Sequence, residues 1–217
     1  MTDFAANRVM MVDTQIRPSD VTKFPIIDAM LTVRREAFVP SARRDVAYAD
    51  ANIALPQGRV ILEPRTLAKM LDAMEIESGD MVLCVGAAFG YSAAVLSRMA
   101  DAVIALESDA DMARDAETAL SEQGADNVVV IEGDLAEGAA KHGPYDAILV
   151  EGGVEEVPEG LEAQLKEGGR IGAVFMRGGL GECRIGYKAD GAVTWRMAFN
   201  ASAPVIAGFE TARAFSF

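Results

Sequence analysis

Glycines 86 and 90 bracket the turn "GAAFG", which follows the apolar run "MVLCV" and opens into "YSAAVLSRMA". Glycine lets a backbone approach a ligand closely, and the first amides of the following helix present free N–H groups. About 20 residues beyond Gly86 the second apolar run, "AVIALE", ends in Glu107, at the separation suited to a carboxylate that accepts ribose hydroxyls. A third run ends in "GD", which puts Asp134 on the same rim, near where an adenine would lie. Each acid alone could be a solvated strand end. Their order along the chain points to an adenosine-containing ligand. Ala88 and Phe89 interrupt the G-x-G-x-x-G fingerprint, which argues against a dinucleotide-dependent dehydrogenase.

Such residues need a sheet to hold them. From residue 80, short apolar runs alternate with helical stretches: "MVLCVG", "AVIALE", "NVVVIEGD", "YDAILVEGG" and "RIGAVFM" as strands. Helices are expected over 91–100, from Asp109 to Gln123, and around "LEAQLKEGG", with Asp109 as N-cap and Gly124 and Gly168 as terminators. Runs buried on both faces and alternating with helices predict a parallel, Rossmann-like α/β sheet. "CRIGYKADGAVTWRMAF" reads as a hairpin about Asp190-Gly191, and "AGFETARAFSF" as a further edge strand. The first third is helical, with Ile27, Met30, Leu31 and Val33 at helical spacing, then Leu67, Met70, Leu71 and Met74 behind Pro64. "VAYADANIALPQGRVILEP" between them is an irregular connection. The expected division is a helical extension over 1–79 and a core over 80–217, joined as one structural domain without a linker.

Bulk composition excludes several classes. The 217 residues are 51% hydrophobic and carry 20 basic against 33 acidic side chains, a formal net charge of −13. Non-specific nucleic-acid or anionic-membrane binding needs clustered cations, so neither is expected. Cys84, Cys183 and the single His142 have no metal-ligand spacing, and Cys84 reads as a buried reduced thiol. No apolar run reaches membrane-spanning length, and the expected location is the cytoplasm. Oligomeric state is not legible.

Over residues 8 to 180 the chain resembles the protein-L-isoaspartate O-methyltransferases, which use S-adenosylmethionine. The resemblance rests on "MMVDTQIRPSDV" and "IIDAMLTVRREAFVP", on "AYADANIALPQGRVILEP" as the substrate loop, and on "VLCVGAAFGYSAAVLS" as the cofactor loop. "NVVVIEGD", "PYDAILVEGG" and "LEAQLKEGGR" match later elements. It implies a seven-stranded methyltransferase sheet with its last strand antiparallel and helices on both faces. It also implies a damaged protein or peptide as substrate. Cofactor-binding candidates are Gly86, Ala88, Gly90, Tyr91, Glu107, Asp134 and Leu135; the substrate loop offers Leu62, Glu63 and Pro64.

Four departures from the family pattern bear on chemistry. Leu62 replaces a serine, Cys84 an acid before the first glycine, Ala88 the central glycine, and Leu135 a glycine after "GD". Glu151 ends the fourth strand, where the methyl acceptor should lie. Methyl transfer to an ionised carboxylate needs alignment in a dry cleft rather than a general base. An isoaspartyl carboxylate needs donors around it, however, and Glu63 or Glu151 would repel it unless protonated or turned to solvent. With an amine or hydroxyl acceptor, Glu151 would be the candidate catalytic base. Two alternatives therefore stand beside isoaspartyl repair: another acceptor, or a catalytically inactive module that binds an adenosine ligand or a protein.

Overall fold

The computed structural model describes residues 2–211. The chain opens with α1 (Phe4–Met11), capped by Asp3, whose carboxylate accepts the Ala6 N–H. A π-turn over Val12–Ile16 leads to α2 (Phe24–Thr32), which ends before Val33; Arg35–Phe38 and Ser41–Val46 form 3-10 turns. Two short antiparallel strands, β1 (Ile53–Ala54) and β2 (Val60–Ile61), make a hairpin ahead of α3 (Pro64–Met74). Proline at the first position of α3 loses no hydrogen bond there. All four apolar residues picked by spacing, Leu67, Met70, Leu71 and Met74, are fully buried.

The core alternates as expected: β3 (Met81–Val85), α4 (Tyr91–Ser97), β4 (Ala102–Glu107), α5 (Ala110–Glu122), β5 (Val128–Glu132) and β6 (Tyr145–Val154). Asp109 caps α5, accepting the N–H groups of Asp111 and Met112. After the single turn α6 (Glu159–Glu162) come β7 (Leu165–Arg177), β8 (Leu180–Ala189) and β9 (Ala192–Asn200). The seven long strands form one sheet in the order β5-β4-β3-β6-β7-β8-β9. The first five in this order are mutually parallel. β8 runs antiparallel to β7, and β9, antiparallel to β8, runs in the direction of the first five, so the reversed strand is β8 rather than the last one. Residues 190 and 191 turn the final hairpin, both with positive φ.

The helix expected around "LEAQLKEGG" is one turn long, and Leu165 already belongs to β7. Gly168-Gly169 accounts for this, since adjacent glycines are poor helix formers. A Cβ on Gly169 would lie 2.8 Å from the Lys166 carbonyl, so the chain can bend tightly there and run on beside β6. Of the further edge strand expected over 207–217, residues 207–211 form no strand and 212–217 lie outside the described residues.

Alternate strand residues face two hydrophobic clusters. Val82, Cys84, Val103, Ala105, Ala147 and Leu149 point to one that also holds Met11, Ile16, Met30, Leu67, Val95 and Leu120. The N-terminal helices thus share a core with the sheet. Leu83, Val85, Ile104, Leu106, Ile148 and Val150 point to the other, closed by Leu135, Leu161, Ile206 and Phe209. β3, β4, β6 and the middle of β7 are buried on both faces, which explains their continuous apolar runs. β5, at the sheet edge, is only partly covered, with Val129 exposed.

Candidate cofactor site

From β3 the chain winds outward through β4 and β5, then crosses back to place β6 on the other side of β3. The crevice beyond the carboxyl ends of β3 and β6 is the switch point at which open α/β sheets hold ligands. The Gly86 turn and Glu151 meet there: a Cβ on Gly86, whose φ is +78°, would stand 3.4 Å from the Glu151 carbonyl oxygen.

Glu107 sits at the end of β4 and is fully buried. One oxygen accepts the Ala88 N–H at 2.6 Å; the other accepts the N–H groups of Ser108 and Asp109 at 2.8 and 3.0 Å. Its carboxylate therefore braces the glycine turn from below. Ala88, at φ +50°, occupies the left-handed region with its methyl group buried. Gly90, also left-handed, precedes α4 and packs against Leu120 and Ala116. Phe89 is partly buried against the first cluster and lines a cleft of about 360 Å³ with Phe38, Pro40 and Thr118.

Sequence reasoning missed the largest feature of this rim. Arg59, nearly buried, spans Glu107 with both arms: Nη1 to Oε1 at 2.9 Å and Nη2 to Oε2 at 3.1 Å. Nη2 also donates to the Gly86 carbonyl at 2.6 Å. The guanidinium thus takes both carboxylate oxygens and the space that glycine leaves open. A lone arginine in a polar loop carries no sequence signal; only the fold brings it across 48 positions to Glu107.

The other predicted residues divide. Asp134 is exposed on the rim after β5 and accepts the Ala136 N–H at 2.8 Å. Leu135 is buried in the second cluster, with Leu106. Tyr91 points into the first core, where the Arg35 guanidinium lies 4.4 Å over its ring and Phe38 packs beside it. Arg35, wholly buried, donates to the carbonyls of Ala47 and Leu62 at 2.7 and 2.8 Å and so ties the substrate loop to the N-terminal extension. Leu62 is buried, Pro64 opens α3, and Glu63 is half-buried, accepting the Thr66 hydroxyl at 2.7 Å.

Glu151 does not face solvent. It follows Ala147 and Leu149 on the face of β6 that meets the first cluster, and a strand covered on both faces leaves its side chain buried. Burial pushes its carboxyl up to about 7, against the opposing pull of Ser92, the Arg59 and Arg35 charges and the Leu62 backbone. Its Oε2 has no hydrogen-bond partner among the described residues. The same two carboxylates, Glu151 and Glu107, add to burial in raising the Cys84 thiol well above its ordinary value. A further acid at position 84 would join a site already crowded with negative charge.

In kind and place these groups fit the adenosyl end of S-adenosylmethionine. A buried carboxylate ends β4, where it could accept ribose hydroxyls, a glycine turn offers close backbone approach, and an exposed acid follows β5. The fit requires Arg59 to release Glu107. At the amino-acid end Cys84 brings no charge partner.

The family profile of protein-L-isoaspartate(D-aspartate) O-methyltransferase matches residues 7–175. A protein-L-isoaspartate O-methyltransferase of Koribacter versatilis is 40% identical over 171 residues, covering 79% of this chain and 77% of the relative. Another, from Rhodopseudomonas palustris strain HaA2, is 40% identical over 170 residues, covering 78% and 69%. Among solved structures, a protein-L-isoaspartate O-methyltransferase superposes with a TM-score of 0.82 at 25% identity, over 93% of this chain and 66% of that one. A Plasmodium falciparum structure with bound S-adenosyl-L-homocysteine shares the fold, at a TM-score of 0.79 and 19% identity, over 94% and 98%.

Proposed function

This chain belongs to the protein-L-isoaspartate O-methyltransferase family, and from that premise we propose that it esterifies a carboxylate on altered aspartyl residues of damaged proteins or peptides. The observation that carries the reading is Glu107, a fully buried carboxylate that closes β4 and holds the glycine turn through the Ala88 N–H. Glu107, the Gly86–Ala88 backbone and Asp134 would hold the adenosyl end of S-adenosylmethionine. When bound, that cofactor supplies a methyl group already activated by its sulfonium.

What remains for the chain is to align and desolvate the acceptor. Leu62, buried in the first cluster, would keep water from an acceptor beside the Gly86 turn, but it brings no donor for a substrate carboxylate. Glu151 answers that lack. With its pKa near 7, the carboxyl is substantially protonated at neutral pH, and a protonated carboxyl donates a hydrogen bond where an ionised one would repel. Its unpartnered Oε2 supports this role. Arg35 holds the Leu62 carbonyl, so the loop beside Glu151 keeps its position.

A second reading follows from the same side chain. Once ionised, Glu151 can take a proton from an amine or hydroxyl acceptor. The two readings differ in sign: a carboxylate acceptor loses rate as pH rises through about 7, whereas an amine or hydroxyl acceptor gains it. The test is formation of a base-labile methyl ester on an isoaspartyl peptide, with the normal aspartyl isomer as control, across pH 6–8.5. Ester on the isoaspartyl peptide alone, falling off above neutrality, is expected. No ester on either peptide in the presence of bound cofactor removes the repair reading in favour of another acceptor. Leu62→Ser serves as comparison, because a gain there marks a lost hydroxyl donor.

A further inference from the structure

We propose that Arg59 gates the cofactor cradle. Its guanidinium stands in for the ribose on Glu107, so that S-adenosylmethionine is admitted only when the tip of the β1–β2 hairpin releases it. The inference rests on the reading of the Gly86 turn and Glu107 as the adenosyl site.

Three observations carry it. First, Arg59 satisfies both oxygens of Glu107 and the Gly86 carbonyl at once, the acceptors that a ribose and its neighbouring backbone contacts would need. Second, the guanidinium fills the room left by the missing side chain of Gly86, since a Cβ there would be 2.7 Å from Nη2. A cradle shaped by glycine is thus occupied from within the chain. Third, the arginine is delivered by a compact tip with a latch of its own. Leu55 N–H donates to the Arg59 carbonyl at 2.8 Å, and Arg59 N–H to the Pro56 carbonyl at 3.1 Å. Gln57 and Gly58 both take positive φ, which turns the chain back over the rim. The Gln57 amide then donates to Asp109 Oδ2 at 2.8 Å, holding the tip down on the cap of α5.

The hairpin beneath this tip is short. Only Ile53↔Ile61 and Ala54↔Val60 pair in it, so residues 55–59 can swing without unzipping the main sheet. Glu107 would keep the N–H groups of Ala88, Ser108 and Asp109 after release, and the turn would keep its brace. A ligand that needs the minor, open arrangement binds with its intrinsic affinity reduced by the open fraction. Removing the arginine should lift that reduction.

Isothermal titration calorimetry of the full chain with S-adenosylhomocysteine, the stable demethylated product, reads the effect without turnover. Arg59→Ala is expected to bind at least about ten-fold tighter than the natural chain. Arg59→Gln, which retains one donor for Glu107, is expected to shift the same way and serves where the alanine variant does not fold by circular dichroism. Equal affinities for the natural chain and a folded variant overturn the gate and leave the cofactor site standing. Binding by neither overturns the adenosyl site, and the gate falls with it.

Discussion

Glu151 couples the acceptor region to stability as well as to chemistry. Its carboxyl titrates near 7 in the folded chain, above its ordinary 4.5. Below the unfolded value both states are protonated, and burial of the neutral acid carries no charge penalty. Between about 4.5 and about 7 the unfolded chain ionises this carboxyl while the folded chain holds it neutral. Its contribution to stability is therefore lost as pH rises through that window and is gone above the folded value. The shift corresponds to about 3 kcal/mol. Urea denaturation of Glu151→Gln against the natural chain should therefore show the variant gaining relative stability by roughly that amount between pH 4.5 and 8. Parallel pH profiles would mean that the carboxyl is solvated. The sequence placed Glu151 at the end of a strand, but β6 runs on to Val154. What covers both its faces there is set by the packing of the N-terminal extension and the second cluster rather than by local pattern.

Among the elements, α5 joins rim and scaffold through its cap. Asp109 Oδ1 accepts the Asp111 and Met112 N–H groups, while Oδ2 accepts the Gln57 amide from the hairpin tip. Asp109→Ala should cost about 1 kcal/mol, the ordinary value of a lost N-cap, measurable as a lowered denaturation midpoint with unchanged slope. An unaltered midpoint would show that the cap contributes nothing. This cap and the spans of α3 and α5 were legible in the sequence, because capping and 3.6-residue periodicity are local properties. The stretch "LEAQLKEGG" misled for the same reason. Leu161 and Leu165 lie four apart as on a helix face, but they bury against the second face of the sheet from a single turn and from the start of β7.

For the molecule as a whole, the N-terminal extension is part of the core rather than an appendage. Met11, Val12, Ile16 and Val21 are all buried in the cluster that holds β3 and α4. Burying each is worth about 1.5–3 kcal/mol, so their sum rivals the roughly 5–15 kcal/mol by which a domain is stable. A chain lacking residues 1–21 is therefore expected to show no cooperative thermal unfolding; a sharp transition near that of the full chain would show the extension to be dispensable. Among the described residues no helix is long and apolar enough to cross a membrane. The alternation of apolar runs and helices, the glycine turn and the spacing to Glu107 were written in the sequence, since each depends on neighbours within a few turns or on one repeated unit. What only the tertiary structure decided was how that turn is filled. Two-residue strands are too short for a periodic signal, and an arginine's partner 48 positions away is chosen by how hairpin and sheet pack together. Burial then favours the pairing of Arg59 with Glu107 while no ligand takes its place, because a buried charge left without any partner would cost several kcal/mol.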